Sequence, residues 1–83
     1  MLTARQTVDA YFLEARHMLL EVAALLDRHA AAAAREGGRK PAASGPDPAA
    51  EKLAVLREAL AILAADRPSG ERTVALLELF ARV

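Results

Sequence analysis

The sequence contains no cysteine. Disulfide bonds and thiolate-bound metals are therefore excluded, and nothing points to an oxidising compartment. No apolar run approaches the roughly 18 residues that a membrane span requires. The N-terminal stretch MLTARQTVDAYF also lacks the continuous apolar core of a signal peptide. We therefore expect a cytoplasmic protein that does not associate with membranes.

The sequence has no excess of charge of either sign. Lys and Arg together number 11, as do Asp and Glu, so the formal net charge is zero. Because nucleic-acid binding relies on a clustered excess of basic residues, the balance argues against a nucleic-acid partner. A small neutral domain also has little charge repulsion to keep copies apart, which favours self-association. Abundant alanine, with arginine preferred over lysine, is typical of GC-rich bacterial genomes.

The sequence also lacks strand signals, since no alternating β-branched run is bounded by turn residues. Helical periodicity is nearly continuous, so we predict an all-α fold within a single domain over residues 1–83. The expected order is a long helix, a loop, a medium helix and a short helix. These span about residues 4–36, 37–47, 48–66 and 70–82 respectively.

Capping and helix-breaking residues set these boundaries. Thr3 and Gln6 have the spacing of a capping box, in which each side chain satisfies a backbone N–H of the other residue. The remaining signals are the stop at Gly37-Gly38, the N-cap and first-turn proline at Asp47-Pro48, the break at Arg67-Pro68 and the cap at Ser69.

The first helix carries an apolar stripe at the 4-3-4-3 spacing of a helix-bundle interface, which we call the main stripe. It comprises Val8, Phe12, Ala15, Leu19, Val22, Leu26 and His29, and it is flanked by Tyr11, Met18 and Leu25. Leu13 and Leu20 lie more than about 100° from its centre, which indicates a second packing partner. We therefore expect a helical bundle completed by homodimerisation.

The two shorter helices carry leucine-rich stripes of their own. The medium helix has a main row of leucines and a second, narrower row; the short helix is apolar around more than half its circumference. The rows are Leu53, Leu56, Leu60 and Leu63; Val55, Ala59 and Ile62; and Val74, Leu76, Leu77, Leu79, Phe80 and Val83. The residues predicted for the interface are Tyr11, Phe12, Leu13, Leu19, Leu20, Leu26, Leu60, Leu77 and Phe80.

A possible metal site is the one chemical motif on the first helix. Glu14, His17 and Glu21 span about 60° of the helix, and a Glu-x-x-His pair is the unit that ferritin-like bundles use to bind iron. A complete site needs a second copy of the pair, which a dimer supplies by symmetry. The simpler interpretation is a set of solvated surface pairs worth a few tenths of a kcal/mol each. We therefore expect no cofactor, with a divalent metal or iron as the alternative.

No other residues form a specific catalytic pattern, because the serines have no neighbouring histidine and nucleotide and phosphate-loop motifs are absent. His29 lies on the main stripe, where a lone histidine is most often a packing residue. Two copies of it, meeting across a dimer axis, are the alternative metal or pH-sensing arrangement.

Two resemblances are visible. YFLEARHMLLEVAALLDR resembles a stretch of short uncharacterised all-helical bacterial proteins, which implies no activity. The order of long, medium and short helices is similar to that of the helical chorismate mutases, which are intertwined dimers. That resemblance implies a small helical enzyme and directs attention to Arg28, Lys40, Asp47 and Glu51. Arg28 lies off the main stripe, however, whereas those enzymes direct several arginines into the bundle.

The sequence therefore favours a non-enzymatic helical homo-oligomer that acts as a structural or protein–protein interaction module. The alternatives are a metal-binding bundle and, third, a small enzyme similar to chorismate mutase.

Overall fold

The computed structural model describes residues 1–37, 47–67 and 70–83. These residues form three helices, α1 (Ala4–Arg35), α2 (Pro48–Ala64) and α3 (Glu71–Phe80), and contain no strand. The prediction of an all-α chain with a long, a medium and a short helix is confirmed. Most of the predicted loop, residues 38–46, lies outside the described residues.

The chain divides into two compact units, Met1–Ala42 and Ala43–Val83. The first unit contains α1, and the second contains α2 and α3. The predictions of one domain over residues 1–83 and of a bundle completed by dimerisation stay predictions.

The capping box at the start of α1 is present as predicted. The Thr3 N–H donates to Gln6 Oε1 at 2.9 Å, and the Gln6 N–H donates to Thr3 Oγ1 at 3.1 Å. At the other end the Glu36 N–H donates to the Ala32 carbonyl at 3.0 Å. Gly37 follows with φ of 62°, a left-handed conformation that glycine adopts without steric cost. α1 thus ends one residue before the predicted boundary.

The start of α2 also follows its sequence signal. Asp47 Oδ1 accepts a hydrogen bond from the Ala49 N–H at 3.1 Å, and Pro48 occupies the first turn. The helix ends at Ala64, two residues earlier than predicted, because Ala65 takes an extended conformation with ψ of 147°. The chain has therefore left the helical conformation before it reaches Arg67.

α3 begins at Glu71 after Gly70, which has φ of 84° and makes no side-chain cap. The predicted cap, Ser69, lies outside the described residues. α3 ends at Phe80 and continues as a turn through Arg82, so the regular helix ends two residues earlier than predicted.

α2 packs against α3, and this contact holds the two buried residues of the described chain. Ala59 is 7% exposed and Leu79 is 3% exposed. The small side chain of Ala59 leaves room for a close approach by the neighbouring helix, and Leu79 is the larger apolar group at the contact. Leu63, which belongs to the main row of leucines on α2, remains 44% exposed.

Two arginines of the C-terminal region add polar links within the second unit. Arg72 Nη2 donates to the Ala65 carbonyl at 2.7 Å, which satisfies a backbone group at the end of α2. Arg82 Nη2 donates to Glu58 Oε2 at 3.1 Å. Glu78 lies four residues before Arg82, which is the spacing of a helical ion pair, but the side chain of Arg82 reaches across to α2 instead.

Candidate functional site

The main stripe of α1 and its flank form an extended exposed apolar surface. No residue of α1 is buried. Val22 and Leu26 are partly covered, while the other large side chains are about half exposed. The exposed ones are Val8, Tyr11, Phe12, Met18, Leu19 and Leu25.

These side chains share one face because α1 is unbroken from Ala4 to Arg35. Spacings of three and four residues place successive members on the same side of an α-helix, one turn apart. A contiguous apolar surface of several hundred Å² is uncommon on a monomeric protein and marks an interaction site. The residues predicted for the interface on this stripe, Phe12, Leu19 and Leu26, therefore lie together on α1, with Tyr11 beside them.

Leu13 and Leu20 form a second apolar face on α1. Leu13 is 75% exposed and Leu20 is 52% exposed. They are seven residues apart, so they lie on the same side of the helix two turns apart, and Arg16 separates them from the main stripe. α1 therefore presents two apolar faces rather than one broad one.

The unit of α2 and α3 also exposes apolar side chains predicted for the interface. Leu77 is 66% exposed and Phe80 is 46% exposed, whereas Leu60 is partly covered. Phe80 lines a shallow apolar recess together with Val55, Leu56, Val83 and the stem of Lys52. Leu77 is thus exposed on the side of α3 away from Leu79, whereas Phe80 lies close to residues of α2.

The predicted metal residues lie on the polar side of α1. His17 Nε2 is 3.1 Å from Glu21 Oε1, and both side chains are largely exposed. Within residues 1–37, 47–67 and 70–83, no group of three or more His, Cys, Asp or Glu residues is arranged to hold a metal ion. Glu14 therefore does not complete a site in the single chain. The alternative that two copies share the ligands Glu14, His17 and Glu21 stays a prediction.

A second polar cluster lies at the contact between α2 and α3. Glu58, Arg67, Glu78 and Arg82 line one recess, and their charges balance. The Nε atom of Arg67 is buried without a hydrogen-bond partner among the described residues. This cluster could not be predicted from the spacing of residues in the sequence, because Glu58 and Arg82 are 24 positions apart in the chain. Its carboxylates and guanidiniums fit a structural link between helices better than a reaction centre.

The residues suggested by the chorismate mutase resemblance are not gathered into a site. Arg28 is exposed on α1, and Lys40 lies outside the described residues. Asp47 Oδ1 accepts a hydrogen bond from the backbone of Ala49, so its side chain caps α2. Glu51 is exposed on the first turn of that helix.

No helix among the described residues combines the length and the apolar composition needed to cross a membrane. In comparisons with known proteins, no protein-family model, no curated protein and no solved structure matches the chain.

Proposed function

We propose that this protein is a non-enzymatic helical module that acts by self-association through α1. The observation that carries the proposal is the exposed main stripe, with Phe12 and Leu19 each more than half exposed along a regular helix. Burying such side chains against a partner removes apolar area from water, which favours association by roughly 25 cal/mol per Å² before opposing entropy.

The charge of the chain supports the same function. Its formal net charge is zero, so copies approach without overall repulsion. The acidic and basic residues of α1 lie mainly off the main stripe, and the exposed pair His17–Glu21 is one example. Association through the main stripe therefore leaves this pair hydrated and avoids burying its charge.

The face formed by Leu13 and Leu20 supports a second contact. A helix with one apolar face pairs once, whereas a helix with two opposed faces packs between partners, as in a bundle. We assign this face to a further helix of the assembly or to another protein. The exposed Leu77 and Phe80 of α3 provide a surface of matching chemistry.

The test is the mass of the purified full chain by light scattering coupled to size exclusion. Leu19→Glu with Leu26→Glu places two charges on the main stripe, seven residues apart. Ala10→Glu with Arg28→Glu is the control, since both residues are exposed on the polar side of α1, away from the main stripe and from the face of Leu13 and Leu20. We expect an oligomer for the parent and the control, and a single subunit with unchanged helical circular dichroism for the stripe variant.

A parent chain that remains a single subunit at high concentration would contradict the proposal. So would a stripe variant whose mass equals that of the parent. Leu13→Glu with Leu20→Glu probes the second face in the same assay. This variant is expected to lower the mass of the assembly while the helical signal remains.

A further inference from the structure

We propose that the main stripe of α1 packs against the same stripe of a second copy running in the opposite direction, with Leu19 opposite Val22 of that copy. This inference rests on the proposed self-association. It adds the orientation and the register of the two helices, which self-association alone leaves open.

The sequence spacing defines which residues face each other. In a pair related by a twofold axis, if one residue contacts a second, the second contacts the first in return. Placing Leu19 opposite Val22 then brings Ala15 opposite Leu26 and Phe12 opposite His29. All six belong to the main stripe, so α1 pairs along most of its exposed apolar length.

Side-chain volume favours this arrangement over a parallel one. In the antiparallel pair the smallest side chain of the stripe, Ala15, faces Leu26, and the largest, Phe12, faces the medium-sized ring of His29. In a parallel pair each residue faces its own copy, so two alanines meet next to two phenylalanines. The void between the alanines is destabilising, because interior packing tolerates few cavities larger than a methyl group.

Side-chain charges and the helix macrodipoles also favour the antiparallel arrangement. The antiparallel register sets Arg16 beside Ala23 of the second copy and Asp9 beside Ala30, so no like charges meet at the margins. Sliding the helices to the neighbouring register that pairs Ala15 with Leu19 brings two Arg16 side chains together. Antiparallel helices also place opposite ends of their macrodipoles side by side.

The available surface is of the size that a stable pair requires. The six large side chains of the stripe and its flank, each about half exposed, supply roughly 500–600 Å² per copy. Val22, Leu26 and the alanines add to this. The total approaches the about 800 Å² per partner that a standard interface buries, and a second copy carries the identical surface without any further protein.

The absence of cysteine allows a direct test by disulfide cross-linking. Two single variants of the full chain are made, Phe12→Cys and His29→Cys. In the antiparallel pair like positions are about 25 Å apart, since 17 residues separate them at 1.5 Å each. A disulfide needs Cα atoms within about 7 Å. We therefore expect little cross-linking in either variant alone and a covalent dimer when the two are mixed, with mass spectrometry identifying a linkage between positions 12 and 29.

Ala15→Cys mixed with Leu26→Cys provides a second pair at the neighbouring level, with the same expectation. Ala10→Cys, on the polar side of α1 and away from both apolar faces, is the control and is expected to remain uncrosslinked. Each variant is first checked by light scattering for the parent mass.

The outcomes separate the inference from the proposed function. A parent chain that is a single subunit overturns both. An oligomer in which Phe12→Cys and His29→Cys each cross-link with themselves shows parallel helices and overturns the inference alone. An oligomer in which neither mixture cross-links shows that another surface joins the copies, and likewise overturns the inference.

Discussion

Arg82, just after α3, donates a hydrogen bond to Glu58 near the middle of α2 across 3.1 Å. The two side chains are 63% and 55% exposed, so solvent screens the pair. The link lies beside the buried Leu79, which lines the same recess as Glu58 and Arg82. Apolar burial provides most of the stability where α2 packs against α3, and the screened ion pair adds a weak link between the end of the chain and α2.

The Arg82–Glu58 pair is expected to contribute little free energy. A double-mutant cycle with Glu58→Gln and Arg82→Met should give a coupling of about 0.2–1 kcal/mol, as exposed pairs do, and the coupling should fall as salt is added. The measurement is urea unfolding followed by circular dichroism. The matched cycle of Glu78→Gln with Arg82→Met should give a smaller coupling. Equal couplings would show that Arg82 divides its time between the two acids.

Leu79→Ala is expected to destabilise the unit of α2 and α3 strongly. Leu79 is 3% exposed, and removing a buried leucine side chain typically costs about 2–5 kcal/mol. Leu63→Ala is the matched control at an exposed position of α2, where the loss should be below about 1 kcal/mol. Thermal or urea unfolding monitored by circular dichroism compares them. Equal losses would mean that the burial of Leu79 does not hold α2 and α3 together.

The metal alternative makes a separate prediction about α1. If two copies bind one or more ions through Glu14, His17 and Glu21, adding zinc, manganese or ferrous iron should raise the unfolding temperature of the parent but not of His17→Ala. We expect no change in the unfolding temperature, because the side chains of His17 and Glu21 already pair with each other at 3.1 Å in the single chain. Bound metal in the purified protein, measured by elemental analysis, would contradict that expectation if His17→Ala removed it.

Local signals in the sequence predicted the helix boundaries best where both partners of a hydrogen bond are close in the chain. Thr3 with Gln6 and Asp47 with Ala49 are examples, because a cap needs residues only two or three positions apart. For α2 the sequence signal predicts an end two residues beyond Ala64, where the helix stops. Proline restricts the residue before it, Arg67, but it does not determine how much earlier the chain leaves the helix.

The candidate surface was predictable for a similar reason. The stripe on α1 depends on the period of one helix, and that period is written directly in the residue spacing. Which apolar residue of the predicted short helix is buried was not predictable, because six apolar residues cover more than half of its circumference. Leu79 is buried while Leu77 is exposed, and this depends on which side of α3 faces α2.

The all-α character, the order of the helices and the apolar faces of α1 follow from the amino-acid sequence alone, because propensity, capping and periodicity act between residues a few positions apart. The tertiary structure decides that Ala59 and Leu79 are buried. It also decides that Arg82 forms its hydrogen bond with Glu58 and not with Glu78. Both features depend on how α2 and α3 pack against each other, and the spacing of residues in the sequence does not reveal that packing geometry.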